Sequence, residues 1–314
     1  MKVMRLADSS NSPRLVEATL PDPIPGPGQV VIRVSAAGIT PTELEWYPTT
    51  HDAAGGPRTG AVPSHEFAGT VAALGPDVHD FTLGQAVFGM NDWFAQGALA
   101  ELCLTEPSSI APAPITLTPT QAASVPIGAL TAWQGLFERG HLHPGDRVLV
   151  HGAAGSVGHF VVQIAHLHGA HVIATASAAN FSLVRQLGAD EIIDYHSRRF
   201  EDVVQQPVDI AFDTVGGDTL LRSLPLVKTG RFAVTIAADK ESSEDPRVQH
   251  AFFIVKPSQR QLMEIAALID TGKLRTCVDA VVPFTRAEEA YTGRIAYGSG
   301  HGKLIVAVSP AAVI

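Results

Sequence analysis

The stretch His151-Gly152-Ala153-Ala154-Gly155-Ser156-Val157-Gly158 constrains this chain more than any other. It follows a β-branched apolar run, Arg147 to His151, and opens a run of helical composition, Ser156 to His168. A glycine-rich turn between a strand and a helix leaves backbone N–H groups free at the positive end of the helix dipole, where they can meet a pyrophosphate. In that frame Gly155 lets the backbone approach the phosphates and Gly158 lets the helix pack closely on the strand, with Ala154, Ser156 and Val157 completing the cradle. Ala153 replaces the first glycine of the usual G-x-G-x-x-G pattern. The bland alternative is an ordinary tight turn, and the alternation that follows argues against it.

Beyond the turn, strands are expected at His171 to Ala176, Glu191 to Tyr195, Asp209 to Val215 and Arg231 to Ile236, with helix at Asn180 to Leu187. Such alternation implies parallel strands with crossover helices, hence a doubly wound α/β sheet. Sites for NAD place Asp or Glu about 20 residues beyond the glycines, on the ribose hydroxyls. Here that position is Ser177, so no carboxylate repels a 2′-phosphate, and NADPH is favoured over NADH. Arg185, Arg198 or Arg199 can supply positive charge, and Tyr195 can line the same pocket.

The first third reads differently. Gln29 to Ala36, Glu66 to Leu74 and Gln85 to Met90 are strand-like, and Gly/Pro turns punctuate them, as in a small barrel-like β domain. Near Pro119 the texture turns helical, with Pro126 as an internal break. A late helix is expected at Gln259 to Thr271, with Leu262 and Met263 as core, and another near Arg286 to Ala296. Strands at Val278 to Val282 and Lys303 to Val308 close the chain. Composition narrows the function. Hydrophobic residues at 46% against 17% charged can build a sizeable core. A net charge of -9 repels phosphate backbones and anionic membranes, so neither nucleic acid nor membrane is an expected partner. Two cysteines, Cys103 and Cys277, cannot make a disulfide scaffold or a four-cysteine zinc site. With no signal peptide and no apolar run of roughly 18–20 residues, a soluble cytoplasmic protein is the expectation.

The chain resembles the medium-chain dehydrogenase/reductase superfamily, in its zinc-free, zeta-crystallin-like quinone oxidoreductase branch. The resemblance is carried by Ala37 to Glu43 (AGITPTE), Pro63 to Val71 (PSHEFAGTV), Gly97 to Glu101 (GALAE), Leu130 to Phe137 (LTAWQGLF), the glycine turn, Asp213 to Gly217 (DTVGG) and Gly302 to Val306 (GKLIV). It implies a Rossmann doubly wound parallel sheet inserted in a GroES-like β-barrel catalytic domain. The expected parts are 1–118 and 258–314 for the catalytic domain and 119–257 for the NADP-binding domain. It implies hydride transfer from NADPH to quinones or α,β-unsaturated carbonyls, and a homodimer joined through the edge of the Rossmann sheet, with Ala251 to Val255 as edge strand. Zinc-dependent relatives take ligands at positions that are here Thr40, His65 and Ile127. One ligand of three cannot hold catalytic zinc, so no metal is expected.

By the same resemblance Thr131 faces the nicotinamide amide, Val215 and Ile236 flank the adenosine and nicotinamide halves, and Phe252 and Phe253 lie near the nicotinamide. Lys303 reaches the cofactor, closes the cleft or makes an exposed ion pair. Thr40, Glu43, Trp46, Tyr47 and His65 are candidates for the substrate cleft, with Trp46 and Tyr47 as an aromatic wall and His65 as a hydrogen-bonded histidine or proton donor. Trp93 reads as structural. Two other functions fit the resemblance: a dedicated biosynthetic enoyl reductase, its specificity shaped by the loop His51 to Ala61, and a non-catalytic, crystallin-like cofactor-binding protein.

Overall fold

The computed structural model describes residues 1–7, 14–237, 246–293 and 300–309. The expected loop Glu241 to Asp245, and the end of the helix expected to reach Ala296, lie outside them. In chain order the strands are β1 (Lys2–Leu6), β2 (Leu15–Thr19), β3 (Val30–Ile39), β4 (Glu66–Leu74), β5 (Ala86–Met90), β6 (Leu102–Thr105) and β7 (Ile110–Pro112). They continue as β8 (Arg147–His151), β9 (His171–Ala176), β10 (Glu191–Asp194), β11 (Val208–Asp213), β12 (Val227–Thr235), β13 (Val278–Pro283) and β14 (Lys303–Ala307). The chain divides into two compact units: Met1–Ile127 with Lys256–Gly272 and Cys277–Ile314, and Gly128–Val255 with Lys273–Thr276.

The first unit is a GroES-like β fold. β1 and β2 form an antiparallel hairpin. The larger sheet runs β13-β14-β3-β4-β5-β7, with β6 also paired to β3. β3 is therefore hydrogen-bonded to three strands, and Val30, Ile32, Val34, Ala36 and Ala37 are buried. Complete burial of such an aliphatic side chain contributes about 1.5–3 kcal/mol for Val or Ile. The helix Pro119–Ala122 packs on β3 and β4, so the chain changes unit at Ile127/Gly128 rather than where its composition shifts. The helix Gln259–Asp270, capped by Ser258, turns Leu262, Ile265 and Ile269 inward at helical spacing. Met263 falls off that stripe and is 53% exposed, so it is not core.

The second unit is a five-stranded parallel sheet in the order β10-β9-β8-β11-β12, a Rossmann arrangement with β8 at its centre. Strand order reverses beside β8, and ligands of such sheets bind at the carboxyl ends of the strands at that switch point. Leu149, Ile173, Ile193, Val208 and Ala211 fill one core cluster with Phe200. The side chain of Gln163 donates to the Arg275 carbonyl and accepts from the Arg275 N–H, at 2.9 and 3.0 Å, which ties residues 273–276 to this unit.

Two expected elements differ. β11 stops at Asp213, whose buried carboxylate accepts from Val215 N, Gly216 N and Thr235 Oγ1 and so ends the strand in a turn. The expected edge strand Ala251 to Val255 does not form. Pro246 starts a helix that runs to Ala251, since proline is pre-set for the first helical position, and only Phe252 bridges to Thr235 of β12.

Candidate functional site

The glycine turn is held by close backbone contacts within its own unit. Gly152 has a φ of +71°. A Cβ there would lie 2.3 Å from Thr214 Oγ1, which itself donates to the His151 carbonyl. A Cβ on Gly158 would lie 2.1 Å from the Gly152 carbonyl oxygen, so the helix Gly158–Leu167 begins hard against the turn. Gly155 is less confined: its Cβ would lie 3.2 Å from the Gly152 carbonyl oxygen, a tight contact but not a clash. Ala154 and Val157 are buried beneath it, and Gly155 and Ser156 are half-buried. Gly128 supports the turn from outside the motif, since a Cβ there would lie 2.3 Å from the Ser156 carbonyl oxygen.

Beside the turn lies a cavity of about 530 Å³. Its wall brings Gly152, Tyr195, Val215, Arg198, Arg199 and Arg222 together, and Tyr195 and Val215 are each 56% exposed. Arg199 and Arg222 both donate to Glu201, at 2.6 Å, and Arg222 also reaches Asp218. The Arg222 guanidinium holds the Glu201 carboxyl at a pKa of about 2. Arg198 is exposed and makes no ion pair among the described residues. Ser177 follows β9 but does not line the cavity, nor does Arg185, which is exposed on the helix Phe181–Gln186.

Sequence reasoning missed His151 and Arg222 in this cavity. His151 is buried at its wall, hydrogen-bonded to Thr175 Oγ1 and Ser223 Oγ at 3.1 and 2.9 Å. Burial pushes its pKa down to about 4, reinforced by Arg222 against the opposing pull of Asp213 and Glu201. Other cofactor candidates fall elsewhere in the unit. Thr131 is buried in the helix Pro126–Trp133, and Ile236 is half-buried just past β12. Phe253 packs toward Gly135, and the Phe252 carbonyl accepts from Arg139.

In the first unit, several cleft candidates form a buried cluster instead of an open wall. Glu43, on the short helical turn Pro41–Glu45, is 1% exposed. It accepts from Ser64 N at 2.8 Å and contacts His65 Nδ1 at 2.5 Å through Oε1, and accepts from Tyr291 OH at 3.1 Å through Oε2. Ser64 bends the chain into this position with a φ of 71°, unusual outside glycine. Burial and the Glu43 carboxylate hold the Tyr291 phenol well above its usual pKa.

Next along β4, Glu66 is fully buried, 2.5 Å from Lys303 Nζ, and accepts from Ile127 N at 2.9 Å. Burial raises its pKa, and Lys303 pulls it back. Lys303 also donates to Thr40 Oγ1 at 3.0 Å. Of the alternatives for Lys303, the ion pair forms, but buried rather than exposed, and the ammonium is committed to Glu66 and Thr40. Gly38 is required here, because its Cβ would lie 2.6 Å from the Glu66 side chain.

Trp46 packs edge-on against Trp93 with centroids 5.2 Å apart, and Trp93 lies 5.2 Å from the His65 ring. Trp93 thus packs within the cluster. Tyr47 stacks on His51 instead. Tyr291 escaped the sequence reading. Its one signal is the buried pattern Ala287, Ala290, Tyr291 on a short helix. The positions that carry zinc ligands in zinc-dependent relatives do not fit a catalytic zinc. Thr40 accepts from an ammonium, Ile127 brings no side-chain donor, and His65 alone remains. Among the described residues no group of three His, Cys, Asp or Glu is placed to hold a metal.

The sequence profile of the alcohol dehydrogenase GroES-like domain matches residues 26–115, and that of the zinc-binding dehydrogenases matches residues 187–306. The human mitochondrial NAD(P)H oxidoreductase RTN4IP1 is 30% identical, over 90% of this chain and 82% of that protein. The chloroplastic quinone-oxidoreductase QR1 of Triphysaria versicolor is 27% identical over 93% of each chain. Among solved structures, the quinone oxidoreductase from Coxiella burnetii superposes with a TM-score of 0.85 at 28% identity, covering 98% of this chain and 99% of that one. The chain belongs to the medium-chain dehydrogenase/reductase superfamily. Within it, the chain is an NAD(P)H-dependent oxidoreductase acting on a small molecule. No helix among the described residues is long and apolar enough to cross a membrane.

Proposed function

We propose that this chain is a zinc-independent reductase that passes the hydride of NADPH to quinones or α,β-unsaturated carbonyls. The observation that carries the choice of NADPH is the cavity beside the glycine turn. Three arginines and a tyrosine line it, no carboxylate does, and Arg198 keeps its charge free for a 2′-phosphate. Guanidinium groups suit phosphate because their fixed fork of donors matches its oxygens. The backbone at Gly155 would take the pyrophosphate, and Tyr195 and Val215 would border the adenosine.

The acceptor class is supported by the names of the similar quinone oxidoreductases and by the ligand-poor set Thr40, His65 and Ile127. Without a metal ion, the negative charge that hydride transfer builds on the acceptor oxygen must be met by hydrogen-bond donors. Orientation of the two bound reactants contributes up to about 7–11 kcal/mol of the barrier. A homodimer built on the sheet edge would use β12, whose Lys228 to Gly230 are exposed, since Ala251 to Val255 is not a strand. The test is cofactor oxidation with a panel of quinones and enones. NADPH is expected to outperform NADH, and Arg198→Ala to narrow that preference about tenfold, the effect of losing about 1.4 kcal/mol. Equal use of NADH by the unaltered enzyme would remove NADPH from the proposal. Bound cofactor with no turnover of any acceptor would remove the reaction.

A further inference from the structure

The three arginines of the cavity beside the glycine turn are held in different ways, and one carboxylate makes the difference. Glu201 does not itself line the cavity, yet two of the arginines that do are tied to it. Arg222 is fixed from several sides. Its Nε donates to Glu201 Oε1 at 2.8 Å, Nη2 donates to Oε2 at 2.6 Å, and Nη1 donates to Asp218 at 3.2 Å. Its guanidinium carbon also lies 4.8 Å from the centre of the Phe200 ring. Arg199 depends on Glu201 Oε1 alone, through Nε at 2.9 Å and Nη2 at 2.6 Å, and its side chain is 70% exposed. Arg198, its neighbour in the chain, makes no ion pair among the described residues. All of these groups lie in the one unit, Gly128–Val255. If Arg199 departs, Glu201 keeps a bidentate pair with Arg222, so its carboxylate stays compensated.

We propose that Glu201 is an internal competitor for the 2′-phosphate of the cofactor: the incoming phosphate takes Arg199 from it, and Glu201 recaptures Arg199 as the cofactor leaves. The proposal rests on the NADPH reading above. A carboxylate and a phosphate monoester offer a guanidinium the same kind of partner, two oxygens side by side. The phosphate carries about 1.5–2 negative charges at neutral pH against one for the carboxylate. The Arg199–Glu201 pair is exposed on its arginine side, and such pairs are weak. The phosphate therefore draws Arg199 over and joins it to the charge of Arg198, the next residue in the chain. A cofactor with a hydroxyl in that place brings no charge, and Arg199 stays on Glu201. Arg222 is a positioning residue in this exchange: it holds Glu201 in place before and after Arg199 moves. The exchange keeps the affinity for the phosphorylated cofactor below what three free arginines would give. That matters for a reductase, because every turnover ends with the release of NADP⁺.

The test is a binding measurement that needs no turnover. Two probes that differ only in the 2′-phosphate, 2′,5′-ADP and 5′-AMP, are titrated calorimetrically into the full-length protein. Glu201→Gln is expected to tighten 2′,5′-ADP by at least about fivefold, the worth of the exposed pair it removes, and to leave 5′-AMP unchanged. Dissociation of NADP⁺, followed by stopped flow, should slow by a similar factor. Arg199→Ala is expected to weaken 2′,5′-ADP and not 5′-AMP. In the double variant the gain from Glu201→Gln should vanish, because Arg199 is the group being released. A purely structural role for Glu201 would shift both probes alike. Glu201→Gln that does not tighten 2′,5′-ADP, or a gain that survives the loss of Arg199, overturns the exchange. Arg199→Ala with unaltered affinity for 2′,5′-ADP overturns it as well, whether or not the Glu201 variant folds. Equal affinity of the unaltered protein for the two probes overturns the NADPH reading itself.

Discussion

The two units handle charge in opposite ways. In the Rossmann unit, Arg199 and Arg222 line the cavity beside the glycine turn and share Glu201, with 70% and 34% of their side chains exposed. In the β unit, Glu43, His65, Glu66, Tyr291 and Lys303 are each at most 6% exposed. Exposed pairs of the first kind contribute about 0–1 kcal/mol each, because water and salt screen them and long side chains lose entropy in forming them. Such groups can be lent to a ligand at little cost to the fold. A buried cluster has no water to fall back on, so each partner is needed by the others.

The contrast can be tested, beginning with its largest consequence. Lys303→Met strands the Glu66 carboxylate and should lower stability by about 3–5 kcal/mol, read as a fall in the urea midpoint. Arg199→Ala should change stability by less than about 1 kcal/mol. Equal losses would break the distinction.

His151 offers a finer probe, since it is a buried group at the wall of the open cavity. Its folded pKa, about 4, lies below the ordinary 6.5, so the unfolded chain binds the extra proton first. The stability this group contributes is complete above pH 6.5 and is lost as pH falls toward 4. The loss totals about 3 kcal/mol at most, on the scale of about 1.36 kcal/mol per pKa unit. His151→Asn should flatten the stability-against-pH curve in that window, and an unchanged curve would assign the slope to other groups.

Gly158→Ala should cost about 1–3 kcal/mol, because its Cβ meets the Gly152 carbonyl at 2.1 Å. Gly155→Ala, whose Cβ would lie 3.2 Å from the Gly152 carbonyl oxygen, should cost less stability than Gly158→Ala and weaken cofactor binding, measured by fluorescence titration. The smallest expected effect is at Cys103, whose buried thiol has a pKa pushed up to about 12. It should resist iodoacetamide in the folded protein while half-buried Cys277 reacts.

The glycine turn could be read from the chain because its causes are local. Strand, turn and helix are adjacent in sequence, and the contacts that demand glycine join residues a few positions apart, Gly152 and Gly158. Local pattern failed where a competing local rule or a distant partner decided. Pro246 nucleated a helix across the start of the expected edge strand, and Met263, apolar enough for a core, sits off the buried stripe of its helix. Arg198 and Tyr195 were named as possible cavity residues, but Arg222 was not, because it enters from the helix Gly217–Ser223.

The residues of this chain by themselves determined the parallel sheet, the phosphate-binding turn and the lack of two zinc ligands, since each depends on side-chain type at short spacing. Only the tertiary structure decided what His65, Glu43 and Lys303 became. Tyr291 reaches Glu43 across 248 positions. The antiparallel register that sets Leu304 opposite Ile39 brings Lys303 beside Thr40 and Glu66. Burial turned those groups into one charge-coupled set, and burial is a property of the packed whole, which no run of neighbouring residues specifies.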